Sequence, residues 1–318
     1  MTLPTGPPRP PLTWRVELTA TAPPTVSVVI GSVESERTIR ECVSSVVESC
    51  SGLDAEIIVV DASRDATAAR VRMYFPHVLL IQLPSGTLTP VLWSTGISHA
   101  RGFRIALTNG HCFVKPEWAR DLITALDTGA AGAGGPIELR RGSSMVDRAI
   151  YLLRYSAFLP AVESGVSRVL EIAGDNAMYT RAALERHDST FGNGLWDVEL
   201  NKLLREEGRE LLMVQGAAVS FGASFPLAVV SRHRFAHGRH FGAWRVRENA
   251  VSPLRIVVTA PLVPFVLFAR IGARVLRHGR HRLDFLVSSV FVLWLAACWA
   301  AGEAAGAMDA GASHAHRH

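Results

Sequence analysis

Two short apolar runs constrain the fold of this chain most: VSVVI at 26–30 and IIVV at 57–60, both rich in β-branched residues and without polar alternation. A strand that is apolar on both faces must be covered on both, and each run leads through a polar turn into residues at helical spacing. After the first run, Gly31-Ser32 breaks the strand, and the stretch 35–49 places Ile39, Val43, Val46 and Val47 on one side of a helix. After the second, Asp61-Ala62-Ser63-Arg64-Asp65 turns into a helix over about 66–75, and 78–83 reads as a third strand before the turn Pro84-Ser85-Gly86. This alternation predicts an α/β fold: a Rossmann-like, mostly parallel sheet with helices on both faces.

The pattern continues with a helix at 90–101 and a central strand at 103–107 that ends in Thr108-Asn109-Gly110-His111. A helix with Pro at its start follows at 116–126, then a Gly-rich turn into a strand at 130–139. The stretch 147–164 shows no clear periodicity. Beyond it, 174–179 leads into a helix from Arg181, 197–207 is an amphipathic helix with Leu200, Leu203 and Leu204 on one side, and 211–221 closes the domain as a strand. Ligands of open α/β sheets collect at the carboxyl ends of strands. Asp61 and His111 both fall at such ends and are expected to share a crevice.

The remaining composition points to a membrane. Mean hydropathy is +0.21, and the apolar excess lies after Pro253. The run 285–302 is uncharged and close to the ~20 residues a spanning helix needs, so it reads as transmembrane. The run 256–276 is apolar but holds Pro261 and Pro264 and ends among arginines, so it reads as interfacial or spanning. Keeping Arg277-His278-Gly279-Arg280-His281-Arg282 in the cytoplasm favours a single span, with residues 25–250 as a domain facing the cytoplasm and 306–318 as a tail. Glu303 and His99 read as solvent-facing or interfacial. Residues 1–24, proline-rich and without a signal-peptide core, read as a flexible arm. The net charge of +5 comes almost entirely from Arg, clustered beside the apolar runs. That pattern suits a membrane surface, and no nucleic-acid-binding signature accompanies it. The four cysteines show no CxxC spacing and are expected as free thiols in a reducing compartment.

Four segments carry candidate chemistry: Val59-Val60-Asp61-Ala62-Ser63-Arg64-Asp65-Ala66-Thr67; Asn109-Gly110-His111 with Pro116-Glu117-Trp118; Gly174-Asp175-Asn176-Ala177-Met178; and Trp196-Asp197-Val198-Glu199-Leu200. In this order the chain from about Thr25 to Arg247 resembles an inverting family 2 glycosyltransferase of the GT-A, nucleotide-diphospho-sugar type. The resemblance implies that Ser32, Glu34, Asp61 and Asp65 bind the nucleoside part of a nucleoside diphosphate sugar. Where the family carries a DxD pair holding a divalent cation, manganese or magnesium, against the diphosphate, this chain has Asn109-Gly110-His111. The resemblance leaves His111 as a metal ligand or a direct diphosphate contact, with Asn109 on the donor side. Gly174, Asp175, Asn176 and Trp196 fall on the acceptor side, and Asp197 on the position of the general base. Arg232, Arg234, His237 and Arg239 match a basic motif that closes over the diphosphate. Trp93-Ser94-Thr95-Gly96-Ile97 keeps only Gly-Ile of the family's R-N-x-G-I run.

Other readings stand beside these. Asp61 and Asp197 each precede a helix and suit an N-cap. His111 suits a satisfied structural residue, and the Arg and His cluster suits a juxtamembrane patch. The implied activity is sugar transfer to a lipid-linked or envelope-glycan acceptor at the cytoplasmic membrane. The competing one is a catalytically silent glycosyltransferase-like protein that binds a partner or glycan there.

Overall fold

The computed structural model describes residues 22–161, 164–223, 225–248 and 251–315. Most of the expected arm and the end of the tail lie outside the described residues. The chain divides into two compact units, one formed by residues up to 138 together with 160–222, the other by 139–159 with 223–318.

The first unit alternates strands and helices: β1 (Val26–Ser32), α1 (Ile39–Ser49), β2 (Ala55–Asp61), α2 (Thr67–Tyr74), β3 (Leu79–Gln82), α3 (Thr89–His99) and β4 (Arg104–Asn109). After β4 come β5 (Cys112–Val114), α4 (Trp118–Leu126), β6 (Gly132–Gly134) and β7 (Ile137–Leu139). The segment 145–155 forms α5 (Met145–Tyr155), and the first unit resumes with β8 (Val166–Val169), β9 (Asn176–Thr180), α6 (Arg181–Glu185), α7 (Asp197–Glu206), β10 (Leu211–Val214) and β11 (Val219–Phe221). The main sheet has the order β3-β2-β1-β4-β9-β6-β10-β8, and β5-β11-β7 form a small second sheet. Pairing is parallel through β3, β2, β1 and β4 and between β6 and β10, while β9 runs antiparallel to both its neighbours and β8 to β10. The sheet is thus mixed and mostly parallel, as the doubly buried strands require. The stretch 211–221, read as one strand, is two: Gly216 interrupts it, and the halves join different sheets.

Every residue of β1 is buried, and Val29, Ile58, Val60, Leu92, Ile97 and Leu107 form the centre of one core cluster. Gly96 shows why α3 can lie so close to that layer. A Cβ built there would stand 2.2 Å from Val29 Cγ1. The cysteines are free, and burial pushes the thiols of Cys42 and Cys50 up to about 12 and 11, so both stay protonated.

The second unit consists of α5, α8 (Leu227–Glu248), α9 (Pro253–Thr259), α10 (Val263–His278) and α11 (Arg282–Ala315), with a 3-10 turn at Ala260–Leu262 that absorbs Pro261. The start of α5 carries a capping box, in which the Ser144 side chain accepts from Asp147 N at 3.1 Å and the Asp147 side chain accepts from Ser144 N at 3.2 Å. Asp147 of that Ser-x-x-Asp signal opens the stretch 147–164, whose periodicity is unclear. Helices α8 and α11 meet backbone to backbone at paired glycines. A Cβ on Gly238 would lie 2.0 Å from the Trp299 carbonyl, one on Gly302 2.0 Å from that of Phe235, and one on Gly306 1.8 Å from that of Arg239. Small residues four apart on both helices allow this approach. Glu303, expected to face solvent or an interface, is instead 1% exposed and paired with Arg245 at 2.5 Å, because it lies on the face that α8 covers. Two apolar stretches, Pro253–His278 and Arg282–Gly311, are each long enough to cross a membrane, with a mean hydropathy of 2.0.

Candidate active site

Strand register sets the site. Ser32 pairs with Asp61, Gly31 with Asn109, and Thr108 with Asn176, so the ends of β2, β1 and β4 and the start of β9 stand side by side. With neighbouring strands about 4.8 Å apart, Asp61 and the loop before β9 are separated by three strand spacings, about 14 Å. All of the first three sequence segments therefore open on one edge of the sheet.

At one end of this row, the loops after β1 and β2 are stitched together. Glu34 N donates to Ser63 Oγ at 2.8 Å, Arg64 N to Glu34 Oε1 at 3.0 Å, and Glu36 N to Asp65 Oδ2 at 3.0 Å. Glu34 holds a left-handed backbone, φ 49°, to make this turn. Asp65 spends its other oxygen on Thr67 N at 3.0 Å, so it organises the start of α2 and joins two loops. Asp61 does not cap that helix, whose N-cap is Ala66. Its carboxylate is buried and accepts from Ser63 Oγ at 2.6 Å. Burial pushes the Asp61 carboxyl above the usual carboxylate range, opposed by hydrogen bonding from Ser63 and by Ser32, whose hydroxyl lies close without an ordinary hydrogen-bond geometry. A carboxylate held this way, acceptor-only and at a strand end, suits a base N–H or a ribose hydroxyl.

At the centre, the residues in the DxD positions are committed to the protein. His111 is 6% exposed; its Nε2 lies 2.9 Å from the Val33 carbonyl and its Nδ1 3.1 Å from Thr38 Oγ1. A carbonyl only accepts, so Nε2 carries a proton and has no lone pair for a metal, while Nδ1 is occupied by Thr38. Asn109 Oδ1 accepts from His111 N at 2.8 Å, and its Nδ2 donates to Asp175 Oδ1. These residues do not fit a divalent cation, and among the described residues no group of three His, Cys, Asp or Glu side chains is placed to hold one. The amide has a local reason: a carboxylate at 109 would face that of Asp175 across the same contact.

At the far end, the Gly174 loop meets α7. Gly174 N donates to Asp197 Oδ2 at 2.8 Å, and Asp197 Oδ1 accepts from Val198 N at 3.0 Å. Trp196 occupies the N-cap of α7 without a side-chain bond, so Asp197 begins the helix and is not its cap. The helix is anchored behind it by Asn201, which donates to the Ile172 carbonyl at 2.8 Å and accepts from Tyr179 Oη at 3.0 Å. Asp197 is half-buried, with both oxygens engaged by backbone donors. Placement is what a general base needs first.

Several residues that build the site were not singled out as structural in the sequence. Trp93 Nε1 donates to the Thr108 carbonyl at 2.8 Å, and its ring lies where a Cβ on Gly31 or Gly174 would go, 3.2 Å and 2.7 Å away. The indole rules out a side chain at Gly174 and, with Thr89 Cγ2, crowds one at Gly31. Asn176 is fully buried; its amide donates to the Pro136 and Ala217 carbonyls and accepts from Trp118 Nε1 at 2.7 Å. It is a cross-link, and it explains the Trp of the Pro-x-Trp segment.

The basic run lies on α8, in the second unit, and it is divided. Arg232 is exposed, and Arg239 pairs with Asp309 at 2.7 Å. Arg234 and His237 face inward near Arg154; burial, then these cations, lowers them to about 10 and about 3.

Comparison with known proteins follows the same ground. The family model described as glycosyl transferase family 2 matches residues 27–188. The crystal structure of S. aureus TarS is similar at 13% sequence identity and a TM-score of 0.45, over 76% of this chain and 43% of that one. The chain thus spans less than half the length of that protein. No match was found among curated proteins.

Proposed function

Because the chain belongs to glycosyl transferase family 2, we propose that this glycosyltransferase moves a sugar, with inversion, from a nucleoside diphosphate sugar to a lipid-linked or envelope-glycan acceptor at the cytoplasmic face of a membrane. The observation that carries the reading is the 2.8 Å contact between Gly174 N and Asp197 Oδ2, at the opposite end of the sheet edge from Asp61. In this reading Asp61 holds the nucleoside and Asp197 removes the proton from the acceptor hydroxyl. That oxygen attacks the anomeric carbon while the bond to the diphosphate breaks, and the diphosphate leaves with the electron pair. Family 2 enzymes typically use a divalent cation to neutralise that leaving group. Asn109 and His111, bonded as they are, are not proposed to hold that cation.

Asp197→Asn is the direct test of the mechanism. It keeps the side-chain oxygen for Gly174 N but removes the base, so transfer from a sugar donor is expected to fall by a factor of roughly 10²–10⁴ with donor binding unchanged. Normal turnover would exclude Asp197 as the base. The committed hydrogen bonds of Asn109 and His111 favour one other reading, a silent binding protein. That reading predicts no transfer in the unaltered chain with any nucleoside diphosphate sugar.

A further inference from the structure

The two apolar stretches invite a transmembrane interpretation, but what is packed around them does not. Helix α8 runs beside α11 from about Trp294 onward. Trp294 Nε1 donates to Ser231 Oγ at 2.9 Å, the paired glycines bring the backbones together, Arg245 meets Glu303 and Arg239 meets Asp309. A single span over 285–302 would carry α8 into the hydrocarbon with it, and α8 bears Arg232, Arg234, Arg239, Arg245 and Arg247. Arginines at the bilayer centre are among the costliest residues.

A hairpin of two spans meets a different obstacle. The turn between α10 and α11 is held by α5: Arg148 pairs with Asp284 at 2.5 Å, Tyr151 lies against His281, and Arg274 donates to Ser156 Oγ at 3.3 Å. If that turn stood on the far side of a membrane, α5 would stand there too. Residues 139–159 would then have to cross twice, although a single crossing takes ~20 predominantly apolar residues and this stretch contains Arg140, Arg141, Asp147, Arg148 and Arg154.

The exposed apolar side chains have another arrangement. Leu254 and Val258 on α9, Leu262 in the 3-10 turn, Phe265 on α10, and Leu286 and Val290 on the first half of α11 face solvent. Exposed arginines accompany them, Arg270 and Arg277 on α10 and Arg280 in the turn before α11. A broad apolar surface with cationic edges, backed by charged helices, has the chemistry of a lipid leaflet's partner: hydrocarbon for the apolar side chains and anionic headgroups for the arginines.

We propose that the second unit is monotopic: α9, α10 and the first half of α11 lie in one leaflet of the membrane, α5 and α8 stay on its water side, and no segment crosses. The inference takes from the proposed function only that the chain meets a membrane, so a failure of sugar transfer would leave it standing.

The test is sidedness of the full chain in a bacterial host. Cysteines added as Arg280→Cys and His318→Cys, each with Cys298→Ser so that only the buried Cys42, Cys50 and Cys112 remain beside them, are treated with a membrane-impermeant maleimide in spheroplasts and in inside-out membrane vesicles. Both are expected to label in the vesicles and neither in spheroplasts, with the protein in the membrane fraction. Labelling at 318 in spheroplasts would establish a single span, and labelling at 280 a hairpin. Recovery of the chain in the soluble fraction would remove the lipid surface itself. Each of these three results overturns the proposal. Retained nucleotide binding shows that the variants fold, and trypsin digestion of the unaltered chain in the two preparations gives the same readout without substitutions.

Discussion

At the scale of single residues, the site is a set of carboxylates with different tasks. Asp65 accepts from backbone donors of two loops, Asp175 from Asn109, Asp61 from Ser63 Oγ, and Asp197 from Gly174 N and Val198 N. Asp61→Ala is therefore expected to weaken nucleoside diphosphate binding by roughly tenfold to a hundredfold, about 1.5–3 kcal/mol for a hydrogen bond to a charged group, as read by calorimetry. Burial raises the Asp61 carboxyl, so as pH falls the ionised acceptor is lost at a higher pH than an ordinary carboxylate would be. The affinity should begin to drop at a higher pH than an ordinary carboxylate would give, and the drop should be absent in Asp61→Ala. Asn109→Asp places two carboxylates in contact, and its melting temperature should fall below that of the unaltered chain. The sequence made Asp61, Asp197 and Gly174 legible because their spacing follows a family pattern. It hid the commitment of His111, since the partners Val33 and Thr38 come from a loop that only the fold brings near.

At the scale of elements, glycine positions carry the close packing. Gly96→Ala drives a methyl into Val29 across the α3–β1 contact. Overpacking of this kind costs about 1–3 kcal/mol, which denaturant unfolding would register. Gly302→Leu should separate α8 from α11 and release Arg245 from Glu303, detected as faster proteolysis of the second unit. The strands and helices of the first unit were readable because apolar runs and turn residues alternate strongly there. Helix α5 is less legible, because its start is marked by the Ser144–Asp147 capping box and its charged residues Asp147, Arg148 and Arg154 interrupt the apolar pattern. The division of 211–221 into two strands was hidden as well, since both halves are equally apolar and only their sheet partners differ.

At the scale of the whole molecule, the second unit joins apolar surface to enclosed cations. His237 and His240 titrate at about 3 and about 4 in the folded unit, held down first by burial and then by neighbouring cations, against about 6.5 when unfolded. The unfolded chain thus binds more protons between these values, and stability that is present in full above pH 6.5 is lost as the pH falls toward 4. A melting series from pH 7.5 to 5 should show a falling midpoint, with a shallower fall in His237→Gln. Hydropathy revealed the apolar helices but not the α8 backbone lying along α11, which determines which of their faces can meet lipid. If Asn109 and His111 hold no metal, this sheet edge binds a nucleoside diphosphate donor without one. Titrating the detergent-solubilised chain with uridine and guanosine diphosphates, each with and without manganese, tests it most directly. The account predicts micromolar binding of at least one of them, unchanged by manganese. Binding of neither, or binding only with manganese, would contradict it.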